Sequence, residues 1–297
     1  MRAATKPLPA PETRSASPVR RNSSHLPGAS AYLCARLHGQ PQARRDLITD
    51  HLPALLAGLG RPPAWFSMHD TSDPHLELCV RLSGADAYGP AARQLGSWAE
   101  HLVEMGALGD ISLVAYRPQT GRWGSKALLI AAEDVFVADS AVVAQQLARD
   151  SGADVRVLAA ANVIDITVGF HSGVHEGLSW LAAQPNDASS TRLPRPVQAE
   201  AARLVDPRDN WAALRSLPGG SDMIRTFAIR REALASYRAL LDQEGDTDTD
   251  TVLHALLHHH YLRSTSSSPD PDEERTCLRL ARAAALDPRR NHGQASG

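Results

Sequence analysis

The sequence lacks the features that mark several large functional classes. It has only two lysines, Lys6 and Lys126, in 297 residues, and neither belongs to a glycine-rich phosphate loop. No dinucleotide fingerprint follows a predicted strand. We therefore expect neither nucleotide-driven nor Schiff-base chemistry, and we predict no cofactor. The arginines are scattered and not interleaved with aromatic residues, which form only 5% of the chain, so no nucleic-acid partner is predicted either.

Long apolar stretches are also missing. No uninterrupted apolar run approaches the roughly 18 residues that a membrane span needs, and the N-terminus lacks the apolar core of a secretory signal. The sequence predicts a cytoplasmic protein without a membrane partner. The three cysteines, Cys34, Cys79 and Cys277, are far apart and odd in number, so we expect reduced thiols rather than a disulfide framework or a zinc ribbon.

The charge is unevenly distributed along the chain. The formal net charge is −2, yet residues 1–30 hold five basic residues against the single Glu12, which gives +4 there and −6 elsewhere. This Pro/Ser/Arg-rich end cannot bury enough apolar area to offset the entropy of ordering it. We therefore predict a disordered basic tail over 1–29 and a single domain over 30–290.

Hydrophobic periodicity predicts an α+β fold. A period of two indicates strands at 31–37, 65–70, 75–82 and 111–116, with helical spacing between the first and second and between the third and fourth. The order β-α-β-β-α-β favours an antiparallel or mixed sheet with packed helices over 30–150, followed by a mainly helical part over 151–290.

The strand at 75–82 has two chemically different faces. Leu76, Leu78 and Val80 share one face, which we expect to lie in the core. The opposite face is either a solvent-exposed sheet surface or the floor of a cleft. It carries a base, an acid, a thiol and a cation in series: His75, Glu77, Cys79 and Arg81.

Two blocks carry a family resemblance. They read WFSMHDTSDPHLELCVRL at 65–82 and ISLVAYRPQTGRWGSKALLIAAEDVFVADS at 111–140. Both resemble the C-terminal domain of lantibiotic dehydratases, a family that includes thiopeptide-type bacteriocin biosynthesis proteins and stand-alone members of this size. The resemblance implies a precursor peptide as partner, with other maturation enzymes of the pathway as further partners.

The chain departs from this family at the anion-binding positions. Glutamate-eliminating members carry Arg-Leu-Arg after Pro-His-Leu, whereas Glu77-Leu78-Cys79 follows here. In the second block, Gln119 replaces a family Glu, while Arg122 is kept and Trp123 stands where an aromatic is usual. The resemblance therefore implies substrate-binding positions at His75, Glu77, Cys79, Gln119 and Trp123.

A histidine cluster completes the candidate site. His258, His259 and His260 follow His254 by one helical turn, and Arg263 matches a family arginine, which gives a further substrate-binding candidate. His254 and His258 share a helix face whereas His259 points away, and no His-Glu-x-x-His pattern is present, so we predict no metal. The place in the motif favours His258 as a proton donor or acceptor, with Tyr116 and Arg122 as the other catalytic candidates.

Three functions remain open on the sequence. A carboxylate at position 77 would repel a leaving glutamate by an amount on the order of several kcal/mol. We therefore favour a pyridine synthase, which joins two dehydroalanines of a thiopeptide precursor by a formal [4+2] aza-cycloaddition and releases the leader peptide. The alternatives are a glutamate-elimination lyase, which makes dehydroalanine from glutamylated Ser or Thr, and a non-catalytic scaffold that binds the leader peptide.

Overall fold

The computed structural model describes residues 24–69, 73–185, 193–245, 247–264 and 271–286. Residues 1–23 of the predicted tail lie outside this range, as do 287–290 of the predicted domain. Within it, the His25 N–H donates to the Tyr116 carbonyl (2.8 Å), and the Tyr116 N–H donates back to His25 (3.0 Å). The chain is thus paired with the strand region at His25, inside the range 1–29 that the sequence predicts as a tail.

A four-stranded antiparallel sheet forms the N-terminal part. Its strands are β1 (Tyr32–His38), β2 (Ala64–His69), β3 (His75–Arg81) and β4 (Asp110–Val114). They lie in the order β2-β3-β1-β4, and every neighbouring pair is antiparallel. The predicted α+β fold is confirmed, and of the two predicted sheet types the antiparallel one is present.

Helices lie between the strands and, with their connecting loops, form the rest of the described chain. They are α1 (Arg44–Asp46), α2 (Leu52–Gly58), α3 (Tyr88–Glu104), α4 (Thr120–Trp123), α5 (Ala127–Leu147), α6 (Val155–Phe170), α7 (Val174–Ala183), α8 (Arg195–Leu204), α9 (Ala212–Arg215), α10 (Gly220–Glu244), α11 (Thr249–Ser264) and α12 (Pro271–Ala285). A π-helical turn, Leu47–His51, joins α1 to α2, and single 3-10 turns lie at Pro41–Ala43 and Ala85–Ala87.

The π-helical turn interrupts what periodicity predicts as one regular helix over 44–59. Pro53 has no N–H to donate to the carbonyl one turn earlier, so the regular ladder is broken at this point. The indole of Trp98 on α3 donates to the His51 carbonyl (3.3 Å), which ties α3 to the junction between the π-helical turn and α2.

The two sheet faces belong to two hydrophobic cores. The face with Leu76, Leu78 and Val80 packs against α2 and α3, as predicted. The opposite face is covered at its Cys79 end by the helical part, where Cys79 and Trp65 join the core of α5, α6 and α10. Its other end carries polar side chains. The sheet is therefore sandwiched, and the polar face is neither an open surface nor wholly buried.

Two cysteines on this covered face are bonded to each other. Cys34 on β1 lies directly opposite Cys79 on β3, with Cα atoms 4.2 Å apart, and the pair forms a disulfide. The prediction of reduced thiols is wrong for these two residues, because spacing along the chain did not reveal that β3 lies next to β1. Cys277 is a free thiol and is buried.

A buried carboxylate, Asp139 on α5, ties the helical part to the sheet. It accepts hydrogen bonds from Arg230 Nη1 on α10 (2.6 Å) and His260 Nδ1 on α11 (2.8 Å), and it pairs with Arg263. Arg263 also donates from Nε to the carbonyl of Phe66 on β2 (2.8 Å). Burial raises the pKa of Asp139, but His260, Arg263 and Arg230 together outweigh it and hold the pKa below its usual value.

The same network reaches α6. Arg230 donates to Asp165 Oδ2 (2.7 and 3.0 Å) and to Asn162 Oδ1 (2.9 Å), and Arg231 pairs with the other oxygen of Asp165. A buried guanidinium is tolerated only when its donors are matched in this way. One arginine thus fixes α10 against α5 and α6.

Among the described residues, no single helix is both long and apolar enough to cross a membrane. The pair Val155–Phe170 and Val174–Ala183, bent by 118°, meets the length and composition criterion only when both helices are taken together.

Removing the charge of Asp139 is expected to destabilise the protein strongly. Asp139→Asn leaves Arg263 and His260 facing a neutral amide in a buried site, which should cost about 3–5 kcal/mol of unfolding free energy. Asp242→Asn is the matched control, since its pair with Arg238 is 56% exposed on the aspartate side and should contribute about 0–1 kcal/mol. Urea denaturation compares the two variants, and equal losses would contradict the assigned role of Asp139.

Candidate functional site

The polar face of β3 holds a carboxylate and a disulfide at the two positions that distinguish this chain. Glu77 lies at the middle of the strand with its side chain 31% exposed, and Arg36 Nε on β1 lies 3.6 Å from its Oε2. Cys79, two residues on and on the same face, is held in the bond to Cys34. Neither side chain offers a positive charge to a ligand.

Two arginines share this face, but both already have carboxylate partners. Arg36 pairs with Glu77. Arg81 donates from Nη1 to Glu133 Oε2 (3.0 Å) and from Nη2 to Asp134 Oδ1 (2.6 Å). Within the described part of the chain, the residues of the sheet face around Cys79 therefore provide no pair of uncommitted cations.

Glu133 on α5 organises two tyrosines. The hydroxyl of Tyr116 donates to Oε1 (2.8 Å), and that of Tyr32 donates to Oε2 (2.9 Å). Burial raises the pKa of each phenol well above its usual value, and the charge of Glu133 raises it further. Tyr116 is therefore a protonated phenol whose proton is already engaged, and the ring of His25 stacks against it at 5.7 Å.

An aromatic wall connects the tyrosines to the helical part, and we define it as Trp65, Tyr116, Trp123 and Phe136. The rings contact one another in sequence, with centroids 5.6 Å apart for Trp65 and Tyr116, 6.4 Å for Trp65 and Phe136, and 5.1 Å for Phe136 and Trp123. The rings meet at steep angles, a favourable geometry for aromatic pairs. The predicted Trp123 is 3% exposed and acts mainly as a packing residue.

Arg122 and His259 meet at the end of this wall. Arg122 lies on α4, a single helical turn that ends at Gly124 with φ of +82°. A Cβ at Gly124 would lie 2.5 Å from the side chain of Leu128, so glycine is required both by conformation and by space. The turn directs the guanidinium toward α11, where Nη1 lies 3.2 Å from His259 Nε2.

The charge state of His259 follows from this contact. A guanidinium can only donate, so Nε2 accepts and the neutral ring carries its proton on Nδ1. Burial, followed by the charges of Arg263 and Arg122, lowers the pKa of His259 to about 3. His259 is thus a neutral imidazole whose ring contacts Trp123 at 5.2 Å and Phe136 at 6.3 Å.

The other histidines of α11 have different partners. His258 is half exposed and its Nδ1 lies 3.1 Å from both carboxylate oxygens of Glu274 on α12. His254 Nδ1 lies 2.8 Å from the Asp250 carbonyl, and His260 is bound to Asp139. The structure therefore brings His259, and not the predicted His258, next to Arg122.

The remaining predicted site residues are dispersed. Arg263 is 2% exposed and is fully occupied by Asp139 and the Phe66 carbonyl, so it positions α11 rather than reaching an open surface. Gln119 is exposed, and its carbonyl accepts from the Arg122 N–H that begins the turn. His75 is buried at the polar end of β3.

Sequence reasoning missed several groups that shape the site. Glu133 lies inside the matched block at 111–140, so its place in the motif was a usable signal. Tyr32 carried no such signal, because its role depends on β1 lying beside α5. His259 was set aside because it points away from His254 and His258, and that same direction turns it toward Arg122.

Comparison with known proteins decides the family. The family model described as lantibiotic biosynthesis dehydratase C-term matches residues 33–285. The chain belongs to this family. The resemblance expected from the two blocks is thus confirmed, and the match extends across all four strands and the helical part.

A curated relative of this chain is distant in sequence. The subtilin biosynthesis protein SpaB of Bacillus subtilis is 24% identical over 228 residues, which cover 73% of this chain and 22% of SpaB. The chain therefore spans about a fifth of the length of that curated relative.

Two solved structures share the fold. The tRNA-dependent lantibiotic dehydratase MibB from Microbispora sp. 107891 superposes with a TM-score of 0.75 at 20% identity, covering 88% of this chain and 29% of MibB. TbtD, the pyridine synthase from thiomuracin biosynthesis, gives a TM-score of 0.58 at 20% identity, covering 86% of this chain and 98% of TbtD. These likenesses establish the architecture of the chain.

The titration of His259 tests the geometry of the site. Because its pKa is lowered from 6.5 to about 3, the ring should stay neutral from pH 8 down to pH 5, and its NMR shifts should be constant over that range. Arg122→Gln removes one nearby cation and should raise the pKa, though not to 6.5, since burial and Arg263 remain. A His259 midpoint near pH 6.5 in the unchanged protein would contradict the contact.

Proposed function

We propose that this protein is a pyridine synthase that acts on a precursor peptide containing two dehydroalanines. One dehydroalanine, with its preceding amide in the tautomeric imidic form, serves as the azadiene, and the alkene of the other adds to it. Two carbon–carbon bonds form; water then leaves with the former amide oxygen, and the leader leaves as its C-terminal amide. The ring becomes aromatic without an oxidant, so positioning and proton transfer are what the protein must supply.

The observation that carries this proposal is the charge at positions 77 and 79. An elimination enzyme must hold the carboxylate of a departing glutamate, which requires desolvated cations. Here Glu77 is itself anionic, Arg36 beside it is already paired, and Cys79 is bonded to Cys34. An uncharged alkene substrate makes no demand for a cation at this face.

The neighbouring groups suit an uncharged peptide substrate. Of the aromatic wall, Trp65, Trp123 and Phe136 are buried and Tyr116 is partly exposed, so the wall packs behind the site and keeps its surroundings apolar. Arg122 is exposed and can polarise an amide carbonyl, while the N–H at His259 Nδ1 can donate a hydrogen bond to a substrate oxygen. We assign Tyr116 a positioning role, because its hydroxyl is bound to Glu133. His258, the catalytic candidate favoured by the sequence, lies on the α11–α12 surface beside Glu274 and away from Arg122.

The similarity to TbtD supports the same reaction class, since the aligned region covers 98% of that pyridine synthase and 86% of this chain. The runner-up is glutamate elimination. It is favoured by the higher TM-score to the dehydratase MibB. It is also favoured by Arg122, because its partner His259 is a neutral imidazole and does not neutralise the positive charge of the guanidinium.

A peptide assay separates the two reactions. The protein is incubated with a synthetic leader–core peptide that bears two dehydroalanines. The product should have a mass lower than that of the peptide by one water and the leader amide. A glutamylated serine peptide, tested in parallel, should stay intact. Release of glutamate from the second peptide, with the first unchanged, would overturn the proposal in favour of elimination.

Variants of Arg122 and His259 test whether the protein is a catalyst or a scaffold. Arg122→Gln and His259→Ala should each lower turnover by about 100-fold while peptide affinity, measured by fluorescence anisotropy, stays within about threefold. His101→Ala on the exposed side of α3 is the control. A larger loss in His258→Ala than in His259→Ala would return the catalytic role to His258, and binding without any product in the unchanged protein would favour a scaffold.

A further inference from the structure

Three histidines form a row across the polar end of the sheet. His75 on β3 lies directly opposite His69 on β2 and directly opposite His38 on β1. Residues in such register have Cβ atoms about 4.5–5.5 Å apart and share one face. The rings confirm the closeness, with centroids 4.8 Å apart for His69 and His75 and 5.4 Å for His75 and His38.

A carboxylate completes a ligand set on this row. Glu77 lies two residues after His75, so both side chains project from the same face of β3. One ring nitrogen each of His69 and His75 and one oxygen of Glu77 all lie within 4.8 Å of one another. In a tetrahedral zinc site with bonds of about 2.0–2.1 Å, neighbouring ligand atoms are about 3.4 Å apart, so binding would require side-chain rotations that shorten the separations by up to about 1.4 Å.

A backbone contact fixes the tautomer of His75. Its Nδ1 lies 2.7 Å from the carbonyl oxygen of Asp73, which can only accept, so Nδ1 carries the proton and Nε2 carries the lone pair. A histidine that donates one ring N–H to a carbonyl and presents the other nitrogen is the usual arrangement around bound metals. His75 is also 6% exposed, so its ring is held by packing on both sides.

The charges around the three ligands permit a cation. Glu77 brings a negative charge to the set, and one ring nitrogen of each histidine lies within 4.8 Å of its carboxylate. Arg36 faces Glu77, but its Nε is 3.6 Å from the carboxylate, beyond a normal hydrogen bond. The carboxylate can therefore turn toward the histidines without breaking a strong contact.

We propose that His69, His75 and Glu77 form a binding site for a divalent first-row transition metal, with zinc as the probe ion. Two imidazoles and one carboxylate are a known donor set for such metals and leave a further coordination position open. The Asp73 carbonyl orients His75 from outside the ligand set. All three ligands lie on β2 and β3 and none belongs to α11; two of them, His75 and Glu77, are also among the positions that the family resemblance implies for substrate binding.

A second, overlapping set must be distinguished from the first. His38, Asp73 and His75 also have donor atoms within 4.8 Å of one another, and His38 Nδ1 lies 3.2 Å from the carboxylate of Asp73. That carboxylate is exposed, and His75 Nδ1, which faces it at 4.0 Å, carries the proton donated to the backbone. The set with Glu77 is therefore favoured.

Calorimetric titration of the full chain with zinc chloride, after chelator treatment and exchange into metal-free buffer, tests the site. The unchanged protein should bind a single zinc ion at the sheet, and His69→Ala and Glu77→Gln should each weaken that binding at least about tenfold. Asp73→Asn keeps the backbone carbonyl and should change the affinity by less than about threefold. Circular dichroism of each variant establishes that the fold is retained.

Two outcomes would overturn the proposal. One is a zinc affinity that is unchanged in both His69→Ala and Glu77→Gln. Loss of zinc binding in His258→Ala or in Asp73→Asn would then show that the ion binds elsewhere. The other is a cobalt(II) complex with an intense thiolate charge-transfer band, since the proposed ligands are only nitrogen and oxygen. A weak cobalt spectrum that disappears in His69→Ala is the expected result.

Discussion

The buried carboxylate of Asp139 is the interaction on which the arrangement of this protein depends. It receives Arg230 from α10 and both His260 and Arg263 from α11, and Arg263 continues to the backbone of Phe66 on β2. Three elements that lie far from α5 in sequence, α10, α11 and β2, are thereby held against one carboxylate on α5. Because the charges are buried and matched, loss of any partner leaves an uncompensated charge, and the network tolerates little displacement of α11.

This constraint determines which histidine faces the site. With His260 and Arg263 held by Asp139, the helical period turns His259 toward Trp123 and Arg122 and leaves His258 toward α12.

Both proposals involve Glu77. With Arg36 as its partner, Glu77 gives the sheet face no surplus positive charge, whereas a bound divalent cation would reverse the sign there. An anionic substrate would need that cation, whereas an uncharged substrate would not. Comparing the reaction with and without a chelator therefore distinguishes the two kinds of substrate.

Much of the fold could be predicted from local pattern. The strands alternate with a clear period of two, and the two blocks were sufficient to indicate the family. Long-range pairing could not be predicted in the same way. Cys34 and Cys79 are 45 residues apart and meet only because β3 lies beside β1. Asp139 and Arg230 are 91 residues apart, and the local sequence around either residue does not predict that the two form an ion pair. His69 and His75 likewise align only once the register of β2 and β3 is known.

A double-mutant cycle between Asp139 and Arg263 tests the central claim most directly. Unfolding free energies are measured for Asp139→Asn, Arg263→Met and the double variant. If the carboxylate holds α11 through Arg263, the second substitution should cost much less once the first is made, with a coupling of about 2–3 kcal/mol. Losses that add to within about 0.5 kcal/mol would mean that the two groups act independently, and Asp139 could not then be what positions His259.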